Sequence, residues 1–517
     1  MQISEYRSKS PLRIVITFIF SIIFLILQLI LYYFLFFGIN FLKDDYYIVY
    51  RTIYLIVEWL GIIVVFIMYG RPMNQSFKLS WTIFILLCPF LGTMCYLMFG
   101  NGRVVPKRRI KKMEKYTEAF KAESNSIITD SLDKDVALIS KALHNDSHFS
   151  LYKGANLKFY PDILDKHKQM LKDFKEAKKF IFMEYFIFGK GEIMKDLIDI
   201  FQIKSDQGVE IRIIYDDIGS FKSQDKKNLT ALEKIKNVHI VNYDPIGLSI
   251  NPRVNYRDHR KVVVVDGNIA YTGGDNIADE YIHTKVKYGY WFDNAIRVEG
   301  EVVKSFTTMF IQMYYMASKE KLDFNKYLPT IKIENETYCF PFVDGPNFTT
   351  NPGYHLFLNL INSAKESIYI SSPYFIIDSQ MINALVNKAR QGIDVRILIP
   401  GIPDKKLTYS MTKSHMGVML KNGVKVYKYT PGFNHAKNIV IDNKYSYIGS
   451  LNMDYRSMFM SFEDGIFIYN DLAVNDMYNN LLEAFSKSER INYKEYKSKN
   501  IFLKLIDFAL QVISPLF

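Results

Sequence analysis

Cysteine is scarce in this chain, with three residues among 517. Three cysteines cannot form a disulfide framework, and no two of them have the spacing of zinc ligands. Cys88 and Cys95 lie in an apolar run, where free cysteines usually serve as packing residues. The sequence also contains no cluster of carboxylates suited to a cation. We therefore expect neither a metal site nor a cofactor.

Charged residues are missing from long stretches of the N-terminal region. Residues 14–37 form an apolar run without any charge, residues 53–69 form a second run interrupted only by Glu58, and residues 81–99 form a third. An apolar stretch of about 20 residues is long enough for a helix to cross a bilayer. The sequence therefore predicts N-terminal transmembrane helices in a membrane region, residues 1–100, and a location in the cell membrane.

Basic residues flank this region on both sides and indicate its orientation. They precede the first run, and they recur in a basic juxtamembrane linker, residues 101–150. The positive-inside rule places both ends in the cytoplasm, which requires an even number of crossings. We expect a multi-pass protein in which the proline-broken run 81–99 is re-entrant or shallow, with the domains that follow it on the cytoplasmic face. The net charge of +12 fits anionic membrane lipids as partners.

A short motif occurs twice in the remaining sequence. Each copy has a His, a Lys two residues later, an Asp after five more and an Asn seventeen residues after the His. In an extended strand the His and the Lys point to the same side, because strand side chains alternate. The two copies consist of His259, Lys261, Asp266 and Asn276, and of His435, Lys437, Asp442 and Asn452. Equal internal spacing predicts a duplication whose two copies meet.

The residues around each motif predict an α/β fold. Strand, helix and strand patterns follow one another at 178–215 and again at 367–399, as expected for parallel strands joined by a crossover helix. We place the first domain at 151–335 and the second at 336–492. The apolar segment 493–517 either docks on the core as a helix or lies in the membrane interface.

The two motifs together suit phosphoryl transfer. One imidazole attacks phosphorus, and the other gives a proton to the leaving alkoxide and later takes one from the incoming hydroxyl. Lys261 and Lys437 neutralise the phosphoryl oxygens, and the two motif asparagines add hydrogen-bond donors. Asp293 and Glu463 follow aromatic residues at similar distances after their histidines, and we expect them to orient the imidazoles. We expect Asp266 and Asp442, although part of the catalytic motif, to brace the turn after their strand.

The paired motifs resemble those of the phospholipase D superfamily, and the order of parts resembles bacterial cardiolipin synthases. The resemblance rests on His-x-Lys-x4-Asp followed by Gly-[Gly/Ser]-x-Asn, on Asn452-Met-Asp-Tyr-Arg-Ser457, and on Glu184-Tyr-Phe and Ser372-Pro-Tyr-Phe375. It implies an αβα sandwich formed twice in a pseudo-twofold arrangement. It further implies transfer of a phosphatidyl group from one phosphatidylglycerol to another, which gives cardiolipin and glycerol through a phosphohistidine.

The resemblance also implies individual roles for site residues. It makes His259 the nucleophile and His435 the acid, which the sequence alone does not rank because both have the same neighbours. It adds Ser450 as a phosphate contact without a counterpart in the first copy. Glu184 is matched by Pro373 in our comparison of the two copies.

Other functions of the same superfamily use the same residues. A hydrolytic phospholipase D would use water as acceptor, and another phosphatidyltransferase would use a different alcohol. A membrane-anchored nuclease would use the positive charge to bind nucleic acid. The apolar runs argue against nucleic acid, because a lipid surface already accounts for the charge. The sequence does not determine the oligomeric state.

Overall fold

The structure is a computed structural model that describes residues 26, 30, 33, 44–100, 132–221, 223, 226–245, 255–348, 350–497 and 500–516. The described residues form two compact units. One contains 44–100, 255 and 511–516, and the other contains the remaining residues from 132 to 510. The predicted apolar run 14–37, apart from three single positions, and the basic residues at 103–115 lie outside the described residues.

Within residues 44–100 the N-terminal unit forms three helices, α1 (Asp44–Tyr69), α2 (Gln75–Leu87) and α3 (Pro89–Phe99). Among the described residues, α1 is the one helix both long and apolar enough to cross a membrane. It contains the second predicted run, which is thereby confirmed as a long apolar helix. The expectation of several transmembrane helices reduces to this one candidate in the part of the chain that the structure describes.

The third predicted run is two short helices rather than one long one. Helix α2 ends at Leu87, and Pro89 is the first residue of α3, where its missing N–H costs no helical hydrogen bond. The two helices then approach closely at Gly92, where an added Cβ would lie 2.6 Å from the Phe84 carbonyl oxygen. The ring centroids of Trp81 and Tyr96 lie 5.4 Å apart in an edge-on contact. The proline thus creates a helical hairpin.

The second unit is α/β and contains two large sheets. The strands up to the middle of the chain are β1 (Tyr152–Lys153), β2 (Asn156–Tyr160), β3 (Phe180–Tyr185), β4 (Glu210–Asp216), β5 (Val238–Tyr243), β6 (Lys261–Val265), β7 (Ile269–Gly273), β8 (Tyr290–Phe292) and β9 (Ala295–Glu299). The later strands are β10 (Tyr338–Asp344), β11 (Ser367–Ser371), β12 (Phe375–Ile376), β13 (Asp394–Pro400), β14 (Lys425–Tyr429), β15 (Gly432–Asn434), β16 (Asn438–Ile441), β17 (Tyr445–Gly449), β18 (Met453–Asp454), β19 (Glu463–Tyr469) and β20 (Ser488–Arg490).

Helices alternate with these strands. They are α4 (Lys134–Ser147), α5 (Ile163–Glu176), α6 (Glu192–Asp206), α7 (Asp217–Ser220), α8 (Lys226–Lys234), α9 (Val303–Ser318), α10 (Pro352–Ser363), α11 (Ser379–Arg390), α12 (Lys406–Lys421), α13 (Tyr455–Phe459), α14 (Leu472–Ser486), α15 (Tyr493–Lys497) and α16 (Ile501–Ile513). Two 3-10 helices cover Phe324–Tyr327 and Ser514–Leu516. The predicted mixed α/β class is confirmed.

The two sheets share one strand order. The first sheet runs β2-β9-β7-β6-β3-β4-β5, and the second contains β10-β19-β17-β16-β11-β13-β14 between β1 and β20 at its edges. In both sheets the last three of these seven strands pair in parallel and the others pair antiparallel. Strand β6 is buried over its whole length, as its run of valines predicts for a strand covered on both faces.

Two segments that precede the first sheet in the sequence, strand β1 and helix α4, contact the second half of the chain. Strand β1 pairs antiparallel with β10, so that Tyr152 lies opposite Cys339. Helix α4, inside the predicted linker 101–150, contacts the second half through an ion pair between Asp133, at its N-terminus, and Lys444, and through a hydrogen bond between His355 Nδ1 and Asp146. The described part of this linker is thus a packed helix.

Helix α16 buries none of its residues. Phe502, Leu505 and Phe508 are each at least 60% exposed. Among the described residues none covers these apolar side chains, which favours the predicted interfacial location over docking on the core.

Candidate active site

Strand β6 positions the first His-Lys pair. Lys261 is its first residue, and His259 precedes it on the same side. The backbone of this segment is held by the second half of the chain: His259 N donates to the Phe462 carbonyl over 2.9 Å, and Asp258 forms a parallel bridge with Phe462. The motif strand thus meets the residue directly before Glu463.

The second His-Lys pair, His435 and Lys437, is held by corresponding contacts with the first half of the chain. Strand β15 pairs in parallel with β8, and His435 N donates to the Phe292 carbonyl over 2.7 Å. Phe292 directly precedes Asp293. Each histidine therefore sits beside the predicted orienting carboxylate of the opposite half, and the two motifs lie at one interface, as expected from the sequence.

The side chains repeat this crossed arrangement. His259 Nδ1 lies 2.9 Å and 3.0 Å from the two carboxylate oxygens of Glu463, and His435 Nδ1 lies 2.6 Å from Asp293 Oδ2. In the sequence each carboxylate follows the histidine of its own half, but in the structure it contacts the histidine of the other half. With Nδ1 facing a carboxylate, Nε2 is left as the nitrogen that can meet a substrate.

The two lysines are buried beside the imidazoles. Lys261 and Lys437 are each 1% exposed, and each ammonium donates to the backbone carbonyl of its own motif histidine. Lys437 Nζ also lies 2.9 Å from His435 Nδ1. Burial lowers the pKa of Lys437 to about 7, and burial also lowers the pKa of Lys261. Neither ammonium has enough polar partners in the protein to offset its desolvation.

The same burial sets the protonation of the other groups. Burial, followed by the charges of Lys261 and Lys437, lowers the pKa of both imidazoles. Burial raises the pKa of Glu463 to about 7 and that of Asp293 to about 8. At neutral pH both imidazoles are therefore uncharged, and an uncharged Nε2 has the lone pair that a nucleophile needs.

Asp266 and Asp442 lie at the far end of their strands. Asp266 accepts hydrogen bonds from the backbone N–H groups of Lys178, Lys179 and Phe180, and Asp442 accepts three from residues 365, 366 and 367. These bonds join the end of the motif strand to the start of its neighbour, as expected for a turn brace. A cavity of about 830 Å³ opens beside Asp266, at the end of β6 away from the imidazoles.

The three predicted phosphate-binding residues differ in their surroundings. Asn276 Oδ1 accepts from Ile187 N, and its Nδ2 donates to the Tyr281 hydroxyl. Ser450 Oγ donates to Glu463 Oε2 and accepts from Asp464 N. Asn452 is buried, and its Oδ1 has no partner among the described residues. The polar groups of Asn276 and Ser450 are thus engaged within the protein, and Asn452 alone retains one that is not.

The sequence analysis did not predict a cluster of buried charged residues that includes both neighbours of His259 in the chain. Glu184, Asp258 and Arg260 are all fully buried, and Arg260 Nη1 lies 3.8 Å from Glu184. Strand register makes Ser371 the counterpart of Glu184, because Glu184 lies opposite Val262 and Ser371 lies opposite Asn438, each directly after a motif lysine. Our match of Glu184 with Pro373 was therefore wrong by two residues.

Two further cations lie within electrostatic reach of the imidazoles. The charges of Lys405 and Arg456 contribute to lowering the pKa of His259, and that of Lys405 acts on His435 as well. Arg456 belongs to the Asn452–Ser457 motif, so its position relative to His435 could have revealed it. Lys405 belongs to neither copy of the repeated motif, and only the folded structure shows that it lies near the two imidazoles. In the part of the chain that the structure describes, no group of three or more His, Cys, Asp or Glu side chains is arranged to hold a metal ion.

The paired motifs on two sheets of the same strand order define a protein of the phospholipase D-like class. The family described as cardiolipin synthase, phospholipase D-like domain, matches residues 170–314 and 357–487, and the phospholipase D-nuclease N-terminal family matches 53–101. The chain belongs to this cardiolipin synthase family.

Individual relatives agree with that assignment. The cardiolipin synthase of Alkalihalophilus pseudofirmus is 31% identical over 89% of this chain and 92% of its own length. Cardiolipin synthase 2 of Staphylococcus epidermidis is 31% identical over 84% of this chain and 92% of its own. An uncharacterized protein of Streptococcus mutans is 34% identical over 86% and 98%. The crystal structure of phosphatidylserine synthase from Haemophilus influenzae covers 74% of this chain and all of its own with a TM-score of 0.57 at 16% identity, which supports the fold.

Proposed function

We propose that this enzyme is a cardiolipin synthase that transfers a phosphatidyl group between two phosphatidylglycerol molecules. The supporting observation is the crossed contact of each motif histidine with the carboxylate of the other half. This contact joins the two motifs into one site with two imidazoles and two ammonium groups. A displacement at phosphorus in two steps needs this set: a nucleophile, a proton donor and cations for the phosphoryl oxygens.

In the first step His259 Nε2 attacks phosphorus. A P–N bond forms, the P–O bond to the glycerol headgroup breaks, and His435 gives its proton to the leaving oxygen. In the second step the hydroxyl of another phosphatidylglycerol gives its proton to His435 and attacks phosphorus, which breaks the P–N bond. The phosphodiester itself prepares His435 for this role, because its negative charge offsets the charges of the lysines and raises the pKa of the imidazole.

The remaining site residues act around these two. Glu463 and Asp293 hold the imidazoles at Nδ1, and the side-chain amide of Asn452 donates to a phosphoryl oxygen through Nδ2. Asp266, Asp442, Asn276 and Ser450 act through the backbone or through other side chains. The reaction as written needs no metal ion or cofactor.

The two catalytic domains, 151–335 and 336–492, are related by a pseudo-twofold axis in this proposal. The common strand order and the two matches of one family support this relation. Membrane residence is supported by the apolar helix α1. A multi-pass topology, with 14–37 as a further span, 81–99 as a shallow hairpin and the catalytic domains on the cytoplasmic face, brings phosphatidylglycerol to the site. Anionic lipids rather than nucleic acid then account for the basic linker.

The test is incubation of the purified full-length protein with phosphatidylglycerol labelled in its acyl chains. We expect labelled cardiolipin and one glycerol released for each cardiolipin formed. Phosphatidic acid as the main product would instead indicate a hydrolytic phospholipase D. Failure to convert the lipid, with cleavage of added DNA, would indicate a nuclease.

The roles of the two histidines are tested by trapping the intermediate. We predict that His259→Ala forms no covalent phosphatidyl-enzyme, because the nucleophile is missing. His435→Ala should still form it from a substrate with a good leaving group, which needs no proton. The measurement is the lipid label that stays on denatured protein. A labelled His259→Ala protein with an unlabelled His435→Ala protein would reverse the assignment.

A further inference from the structure

The two halves of the active site carry opposite charges at one corresponding position. Arg456 lies twenty-one residues after His435, and Glu280 lies twenty-one residues after His259. Glu280 is partly buried and forms an ion pair with Lys287 at 3.6 Å. Arg456 is exposed to solvent on the short helix α13. The same position thus carries a negative charge in the first half and a positive charge in the second half.

A second cation, Lys405, lies on the same side. It directly precedes helix α12, and its side chain is exposed. Its ammonium lies 4.9 Å from the centroid of the Tyr374 ring, whose hydroxyl donates to Asp404 over 2.7 Å. Among the described residues, neither Lys405 nor Arg456 belongs to an ion pair within 4 Å. Two exposed cations beside a reactive centre, without a carboxylate of their own, are suited to an anionic ligand.

Strand pairing connects these cations with the motif residues. Strands β12 and β18 pair in parallel with Phe375 opposite Met453, which places Tyr374 beside Asn452. Asn452 is the buried motif residue whose Oδ1 lacks a partner. Helix α13, with Arg456, begins directly after β18. Asn452 is therefore separated from Lys405 and Arg456 by only a few residues and strand contacts, all of them in the second half.

Joining two phosphatidylglycerol molecules brings a second phosphate close to the first. In cardiolipin the two phosphates are linked by a glycerol bridge of three carbons and two oxygens. The acceptor lipid must therefore place its own phosphodiester beside the group being transferred, while Lys261 and Lys437 already face that group. Two phosphates linked by so short a bridge repel each other, and cations beside each phosphate would offset this repulsion.

We infer that Lys405 and Arg456 form a binding site for the phosphodiester of the acceptor lipid. This inference rests on the proposed function, because only transfer to a second phospholipid requires it. The site selects an acceptor alcohol that carries a phosphate over free glycerol or water. Glu280, at the matching position of the first half, would repel the same phosphate and so gives the acceptor one direction of approach.

The test compares two acceptors for the same phosphatidyl-enzyme. Full-length protein in mixed micelles receives phosphatidylglycerol and radiolabelled glycerol together. Cardiolipin formation measures transfer to an acceptor with a phosphate, and labelled phosphatidylglycerol measures transfer to one without. We expect Arg456→Gln and Lys405→Gln each to lower the ratio of cardiolipin to glycerol exchange by about tenfold, the effect of losing one charge-assisted hydrogen bond.

A matched control is Lys413→Gln, which removes an exposed lysine of helix α12 that also lies over a tyrosine ring, 5.0 Å from the Tyr409 centroid. Its ratio should equal that of the wild type. An unchanged ratio in the Arg456 and Lys405 variants would overturn the inference. An equal fall of both rates would also overturn it, because the cations would then serve the donor phosphate or the fold. A wild-type protein that makes no cardiolipin would refute the proposed function before any variant is compared.

Discussion

Ser450 shows how a motif residue can act on the reaction through another side chain rather than through a contact with the substrate. Its hydroxyl donates to Glu463 and accepts from the backbone N–H of Asp464. Glu463 in turn contacts His259 at Nδ1. The hydroxyl therefore orients the carboxylate that orients the imidazole, whereas the family resemblance implied a phosphate contact for Ser450.

We predict that Ser450→Ala lowers kcat about tenfold and changes KM for phosphatidylglycerol little. The hydrogen bond to a buried carboxylate is lost, but no contact to the lipid is removed. Steady-state kinetics on mixed micelles would measure both constants, and Ser450→Thr, which keeps the hydroxyl, serves as the control. A higher KM at unchanged kcat would restore Ser450 as a phosphate-binding residue.

Asp293 links the active site to the stability of the fold. Burial raises its pKa from 3.8 to about 8, so the native protein binds a proton that the unfolded chain releases near pH 4. Between these values the native state holds more protons, and its stability falls as the pH rises. Asn cannot ionise, so Asp293→Asn removes this pH-dependent loss.

We therefore predict that Asp293→Asn raises the thermal midpoint relative to wild type by more at pH 8 than at pH 5. The two proteins are compared in the same detergent by circular dichroism. A difference that is constant or shrinks toward pH 8 would contradict the raised pKa. Cardiolipin formation should fall in the variant, because His435 loses the carboxyl group that holds its Nδ1.

At the scale of elements, much of the architecture can be predicted from local sequence. The valine run of β6 and the repeated strand, helix and strand pattern give the α/β class, because buried strands and amphipathic helices have distinct periods. The predicted register of the copies is correct for the motif strands and wrong for Glu184, since segments of unequal length, which contain helices and strands, separate β3 from β6 and β11 from β16. Strand β1 joins the second sheet, and helix α4 contacts the second half through Asp133 and Lys444, neither of which any local pattern indicates.

Helix α16 is the element whose surroundings the fold leaves open. Its apolar side chains are exposed, and its polar residues include Lys504 and Asp507. A helix with such a surface binds in the interfacial region of a bilayer. We propose this location for α16, which would hold the end of the chain at the lipid surface.

We predict that a tryptophan introduced by Phe502→Trp, on the apolar face opposite Lys504, is quenched by brominated lipid in vesicles containing the full-length protein. A tryptophan introduced by Lys504→Trp, on the polar side, should be quenched less. The fluorescence is measured after subtracting that of the wild type, which has three tryptophans. Equal and weak quenching at both positions would place α16 away from the lipid.

At the scale of the whole catalytic unit, its two halves depend on each other. Strand β8 pairs with β15, Asp258 bridges Phe462, and Asp464 accepts hydrogen bonds from Lys261 N and the Thr272 hydroxyl. The crossed contacts of the histidines could not be predicted from the sequence, because equal spacing gives the members of each copy but not the way the copies face each other.

These contacts predict cooperative unfolding of residues 132–497. Leu197→Ala in the first half and Leu481→Ala in the second each remove a fully buried side chain and should cost about 2–5 kcal/mol. We expect each substitution to lower the urea midpoint for both halves equally, as measured by pulse proteolysis with mapping of the fragments. A protected second half in the Leu197→Ala protein, at urea concentrations that unfold the first, would refute this coupling.

The crossed pairs also set a point in biosynthesis before which the enzyme is inert. His259 lacks its carboxylate until the ribosome has added Glu463, which lies 204 residues further along the chain. While the first sheet folds, the nascent chain carries a histidine that is not yet oriented. The first half alone is therefore inactive toward phosphodiesters, and activity begins only after the second half has been synthesised and has folded against it.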